Sequence, residues 1–150
     1  MTAPLRSPYA ADMRLIVMDI DSTLINEEVI DLLGEEAGVG VRVAAITERA
    51  MRGEIDFKQA LEERVGLLAG LGQEVFDRTF ARVTFTPGAL ELIRTAHERG
   101  WKVGVVSGGF HEVADRIVEA AGIDYCLANR LEVQSGKLTG QLAAEIVTRE

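Results

Sequence analysis

Residues 15–25 read LIVMDIDSTLI: four apolar residues, Leu15 to Met18, run straight into Asp19, and Asp21 follows two positions later. An apolar run of this length predicts a buried strand, placed at about residues 14–19. Such a strand delivers a carboxylate to its C-terminal end, where open α/β sheets build their sites. Residues two apart in extended chain share a face, so Asp19 and Asp21 are expected to look into one crevice. Two like charges there repel unless a cation such as Mg²⁺ lies between them or one carboxyl keeps a proton, and both arrangements suit phosphoryl chemistry. The plainer alternative is that Asp21 or Ser22 caps a following helix.

Outward from this segment the chain alternates in a way that predicts α/β architecture. Further strands are expected at 101–106 and 124–128, with a helix at 110–121, ended by Gly122, between them. This βαβ unit implies a parallel sheet. The link between the first two strands is too long for one crossover. Its periodicity and glycine stops predict helices at 27–37, 40–52, 57–69 (after Asp56 as N-cap) and 73–82, and a fifth opening at Thr86-Pro87 and ending at Gly100. Only the fifth is needed for the crossover. The expected organisation is therefore a core of residues 1–25 and 86–150, with 26–85 inserted as a helical lid that excludes water and reads a substrate. Alternation around Ser135-Gly136 predicts a β-hairpin. The most apolar strand, the first, is left at a sheet edge, which predicts self-association through that edge.

Bulk composition narrows the function. The chain has 150 residues, 47% hydrophobic and 27% charged, with a net charge of −8. That charge repels nucleic acid and anionic membrane, so neither is an expected partner, and an anionic substrate needs a local cation. No run approaches membrane-spanning length, the first dozen residues read as a loose lead-in without a secretory h-region, and Cys126 is the single cysteine. These features lead to an expected cytoplasmic protein in which Cys126 packs and does not react.

Four more residues point to chemistry. Ser107 and Gly108, in Val106-Ser107-Gly108-Gly109-Phe110, end the second strand just before a helix, where backbone N–H groups and a hydroxyl favour a phosphate; a simple strand-to-helix turn gives the same pattern. Glu28 is expected in the first turn of its helix, where it suits either a ligand or the helix dipole. Arg64 falls on the apolar stripe of Phe57, Leu61, Val65 and Leu68; it either snorkels to water or faces inward toward an acidic partner. Met51 and Phe57 fit core or pocket wall, and His97 and His111 show no metal-ligand spacing.

The segment Asp19-Ile20-Asp21-Ser22-Thr23 resembles the first motif of the haloacid dehalogenase superfamily. With Glu28, the Met51–Arg64 segment, Val106-Ser107-Gly108-Gly109-Phe110 and Ala128-Asn129-Arg130-Leu131, it is similar to the phosphoserine phosphatases within it. The resemblance implies a Rossmannoid three-layer parallel sheet with an inserted helical cap. It implies hydrolysis of O-phosphoserine, the last step of serine biosynthesis, with Asp19 as nucleophile and Asp21 as general acid and base. It implies Mg²⁺ on the Asp19 side chain and the Asp21 carbonyl. Phosphate would be held by the N–H groups of Ile20, Asp21 and Gly108 and by Ser107, the substrate ammonium by Glu28, its carboxylate by Arg64, and the pocket wall would be Met51 and Phe57. The superfamily's third-motif Lys and the fourth-motif Asp of its Gly-Asp-Gly-like loop are not found before Glu150. The chain is therefore expected to be an N-terminal fragment or a truncated product of a longer enzyme, with the last strands missing and weak or no activity alone. Other expectations from the same residues are a phosphatase or phosphotransferase for another small phosphomonoester, or a non-catalytic phosphoacceptor.

Overall fold

The computed structural model describes residues 14–143. The lead-in expected before residue 13 and the polar stretch that closes the chain lie outside the described residues. β1 (Leu15–Met18) is followed by α1 (Val29–Glu36), α2 (Gly40–Met51), α3 (Phe57–Gly66), α4 (Val75–Ala81) and α5 (Ala89–Glu98). Then come β2 (Lys102–Phe110), α6 (His111–Ala121), β3 (Tyr125–Asn129) and the hairpin β4 (Leu131–Gln134) with β5 (Lys137–Leu142).

Local chemistry explains most boundaries. The Asp56 carboxylate accepts from the Gln59 N–H at 2.7 Å and starts α3. Gly122, left-handed at φ 72, ends α6. Ser135 (φ 53) and Gly136 (φ 77) are both left-handed, as a two-residue type I′ hairpin turn requires. The start of α5 differs from expectation. The Ala89 N–H donates to the Thr86 carbonyl at 2.9 Å, and Gly88 is left-handed at φ 85. Thr86 to Ala89 therefore form a β-turn, with Pro and Gly at the positions such a turn favours, and the helix begins only after it. β2 also runs beyond its expected end, through Ser107–Gly109 to Phe110, with a register shift against β3 between Val106 and Phe110. That irregularity lets the strand end bend back as a turn.

β1, β2 and β3 form a parallel sheet in that order, with Leu15 opposite Lys102 and Gly104 opposite Tyr125. β1 is an edge strand, as its position in the sequence predicts. α5 and α6 pack on β2, and α6 also on β3; Val103, Val105, Ile93 and Ile117 fill that interface. The opposite face is bare among the described residues. Leu15, Val17, Val106, Tyr125 and Leu127 are 56, 53, 41, 57 and 55% exposed. Of the three layers expected, the described residues build one sheet and one covering layer of helices.

α1 to α4 lie between two chain crossings that pair with each other. Ile25 bridges Phe85, the Asn26 N–H donates to the Thr84 carbonyl at 2.9 Å, and the Thr86 N–H donates to the Leu24 carbonyl at 2.9 Å. The Glu27 carboxylate also accepts from the Thr84 N–H at 2.9 Å. A second tie comes from the hairpin. The Gly70 N–H donates to the Leu138 carbonyl at 2.7 Å, the Leu138 N–H to Leu71 at 2.8 Å, and the Gln73 N–H to Gly136 at 2.9 Å. No helix among the described residues is long and apolar enough to cross a membrane.

Two stability experiments follow from this packing. Thr79 of α4 is fully buried, and among the described residues its hydroxyl has no partner. Thr79→Val removes that unpaired group at constant shape and is expected to raise the unfolding free energy by about 1 kcal/mol; a lower urea midpoint would contradict the burial. The two sheet faces should also respond differently. Val103→Ala, on the covered face, is expected to cost about 2 kcal/mol, whereas Val17→Thr, on the bare face, should stay within about 0.5 kcal/mol of the parent. Equal losses would mean that the bare face is covered in solution.

Candidate active site

The chain leaves β1 and turns at once. Asp19 (φ −79, ψ 161) and Asp21 (φ −63, ψ 129) are extended, Ser22 is left-handed (φ 58, ψ 16), and the Ile25 N–H closes the loop on the Ile20 carbonyl at 3.1 Å. Asp19 and Asp21 line one cleft, but a tight turn brings them there and not the two-residue period of a strand. The left-handed Ser22 costs about 1–2 kcal/mol for a residue with a Cβ. Two bonds offset it: the Ser22 N–H donates to the Glu27 carbonyl at 3.1 Å, and its hydroxyl donates to Glu28 Oε2 at 2.8 Å. The Asp21 carboxylate accepts from the Val29 N–H, the first of α1, at 2.9 Å. The capping alternative and the cleft alternative thus hold for the same side chain: Asp21 caps α1 and lines the cleft.

Opposite this turn, β2 ends in Ser107, Gly108 and Gly109. Ser107 is buried, and its hydroxyl accepts from the Gly109 N–H at 2.9 Å. Buried Asn129, on the end of β3, donates to the Gly108 carbonyl at 3.0 Å and holds the turn from below. Both glycines let side chains approach the turn closely. A Cβ at Gly108 would stand 2.8 Å from Phe57 Cζ, and one at Gly109 would stand 3.2 Å from Asp21 Oδ2.

The helices close the cleft with Glu28, Ile30, Phe57, Leu61 and Arg64. Glu28 directly precedes α1 and is not in its first turn as expected; its side chain accepts from Ser22 and does not cap. Phe57 opens α3 and lays its ring on Gly108. Arg64 faces inward: its Nε donates to the Ala60 carbonyl at 3.2 Å and its Nη1 to the Thr47 hydroxyl at 3.0 Å. Two residues expected by resemblance are not brought into the lining. Met51, at the C-terminal end of α2, is 83% exposed. Ile20 is buried, and its N–H donates to Asp19 Oδ1 at 2.7 Å.

The cleft measures about 180 Å³, a space for a small metabolite. Asp19, Asp21 and Glu28 line it against a single guanidinium, Arg64. Burial, the largest cause, raises the Asp21 carboxyl to about 6; the Val29 N–H opposes the shift, and the Glu28 and Asp19 charges add to it. Burial also lowers the Arg64 guanidinium, against the pull of Asp31, Glu28 and Asp21. An acidic cleft of hard oxygen donors fits Mg²⁺ chemically and would oppose a bare phosphate dianion.

Asn129, Ile30 and Thr47 were not singled out from the sequence. Asn129 carried a signal only as part of the Ala128–Leu131 motif; the other two are placed by helix contacts that no local pattern records. Away from the cleft, His111, Asp115 and Cys126 bring a nitrogen, an oxygen and a sulfur within 4.8 Å of one another. His111 Nε2 accepts from the Ala128 N–H at 3.2 Å, so the ring proton sits on Nδ1 and is donated to Asp115 at 2.8 Å. That tautomer takes the ring out of metal binding. Burial holds the Cys126 thiol up at about 11, which fits a packing role.

Residues 16–150 match the model of the haloacid dehalogenase-like hydrolase family. The chain is 62% identical over 136 residues to a phosphoserine phosphatase of Streptococcus thermophilus, spanning 91% of this chain and 63% of that one. It is 53% identical over 141 residues to one of Archaeoglobus fulgidus, spanning 94% and 41%. A solved phospho-aspartyl intermediate analogue of a phosphoserine phosphatase superposes with a TM-score of 0.83 at 46% identity, over 91% of this chain and 65% of that one. A substrate-bound phosphoserine phosphatase complex superposes with 0.83 at 45%, over 90% and 64%. The chain thus spans less than two thirds of each of these relatives.

The raised Asp21 carboxyl gives stability a definite pH slope in metal-free buffer. Its folded value of about 6 lies above the ordinary 3.8, so the folded state holds the proton more tightly. The resulting stabilisation is complete below pH 3.8 and is lost as pH rises through about 6. Asp21→Asn is expected to remove that loss in urea titrations across this range; parallel curves for parent and variant would refute the shift.

Proposed function

The chain belongs to the haloacid dehalogenase-like hydrolase family, and on that footing we propose that it carries the substrate cleft of a Mg²⁺-dependent phosphoserine phosphatase, with α1 to α4 acting as a lid over the strand ends. One observation carries the reading: a single small cleft is lined by a carboxylate pair, a serine–glycine turn, one acid just before α1 and one guanidinium from α3. A phosphomonoester of a zwitterionic amino acid is a ligand that calls for all of these at once.

In this reading an Asp19 oxygen attacks the phosphorus and the bond to the serine oxygen breaks. Asp21 gives its proton to the leaving oxygen. Water then attacks the aspartyl-phosphate, its proton passes to Asp21, the bond to Asp19 breaks and phosphate leaves. An acid that titrates near 6 supports both roles of Asp21. The Ser107 hydroxyl and the N–H groups of Asp21 and Gly108 bind phosphate oxygens; the Ile20 N–H joins them by leaving Asp19. Glu28, braced by Ser22, takes the ammonium, Arg64 takes the carboxylate, and Phe57 walls the cleft. The Asp19 carboxylate and the Asp21 carbonyl would hold Mg²⁺, which supplies neutralisation of phosphoryl charge.

Calorimetric titration tests the assignment. The chain is expected to bind O-phosphoserine in the presence of Mg²⁺. Arg64→Ala should weaken that binding by about 10- to 100-fold, the worth of charged hydrogen bonds to a carboxylate, while O-phosphoethanolamine, which lacks the carboxylate, loses little. Any phosphate release by the parent should vanish in Asp19→Asn. Equal losses on both ligands, or no binding of O-phosphoserine by the parent, would sink the reading.

A further inference from the structure

Arg64 is aimed by a neighbouring helix. Its Nε is tied to its own helix at Ala60, and its Nη1 to Thr47 of α2. Thr47 donates its one hydroxyl proton to the Val43 carbonyl, four residues back, at 3.1 Å. The oxygen lone pairs are therefore what it offers the guanidinium. Both hydrogen bonds of Arg64 go to neutral oxygens, and Asp31, Glu28 and Asp21 act on it as surrounding charges. A carboxylate pairing fork to fork with Arg64 would consume the donors a ligand needs. Two neutral acceptors fix the plane of the group without neutralising it.

We propose that Thr47 is the positioning residue that presents Arg64 to the cleft, so that reading a ligand carboxylate depends on a hydroxyl outside the cleft lining. The proposal rests on the carboxylate-binding role of Arg64 given above. Without the hydroxyl, Nη1 is half-buried and unsatisfied, and the side chain turns toward the nearby acids. Thr47 itself touches no ligand, so its loss acts on selectivity.

The test is the ratio of affinities for O-phosphoserine and O-phosphoethanolamine, by calorimetry at fixed Mg²⁺. Thr47→Val, which keeps the shape and removes the acceptor, is expected to lower the ratio about tenfold. Thr47→Ser, which restores the hydroxyl, should keep it within about twofold of the parent. Thr47→Ala should follow Thr47→Val, which guards against a folding defect peculiar to one variant. A parent that prefers O-phosphoserine and a Thr47→Val variant that does so equally would overturn the role of Thr47 alone. So would equal losses in Thr47→Val and Thr47→Ser, since they would point to packing. A parent with no preference overturns the Arg64 assignment, and this role with it.

Discussion

The hydrogen bond from the Val29 N–H to the Asp21 carboxylate is the contact on which the rest of the cleft depends. One oxygen of the side chain satisfies an orphan donor at the start of α1, while Oδ2 faces Gly109. The bond fixes where the first helix begins, and so where Glu28 stands, one residue earlier. It also opposes the burial that raises the Asp21 carboxyl. Without it the acid would be pushed higher still and α1 would lose the side-chain bond that caps it, since Glu28 makes none. A helix cap and a titrating acid are thus one group, and the start of α1 is written into the chemistry of the turn.

The charge arrangement has a similar economy. The cleft holds more acid than base, and its one guanidinium donates its hydrogen bonds to neutral oxygens. Such a site repels a free anion and accepts one that arrives with a compensating cation or with its own ammonium group. Under the proposed function, selectivity for a zwitterionic ester would come from repulsion of simpler phosphates as much as from attraction. The close approach of Phe57 to Gly108 makes α3 and the end of β2 share one wall of the cleft. Any widening at Gly108 is felt by α3, which carries both Phe57 and Arg64.

What the sequence made legible was governed by local signals. The apolar run before Asp19, the Asp56 cap and the Ser135-Gly136 turn each depend on neighbours within a few residues, and each stands where expected. Arg64 was legible because its place on an apolar stripe was itself an anomaly. The start of α5 was not, because Thr-Pro-Gly satisfies a helix N-terminus and a β-turn alike, and only the left-handed Gly88 decides between them. Met51 was misplaced because its position at a helix end, open to solvent, leaves no trace in periodicity. Thr47 looked like any helical threonine; its significance exists only once α2 and α3 are packed. The bare face of the sheet was equally hidden, since Leu15 and Val17 sit in a run that reads as a buried strand until one asks what lies over it.

The hairpin contributes something its distance from the cleft conceals. Its main-chain bonds to residues 70–73 hold the loop into which the α3 segment runs. At Gly140, left-handed at φ 91, a Cβ would come within 2.9 Å of the Ala69 Cβ, so the two segments are in close contact there too. The β4–β5 ribbon therefore works as a buttress for the element that bears Arg64. If Arg64 reads a ligand carboxylate as proposed, changes in a loop of no chemical interest, seventy-odd positions downstream, would be inherited as changes in discrimination, and the two segments should drift in step through evolutionary time.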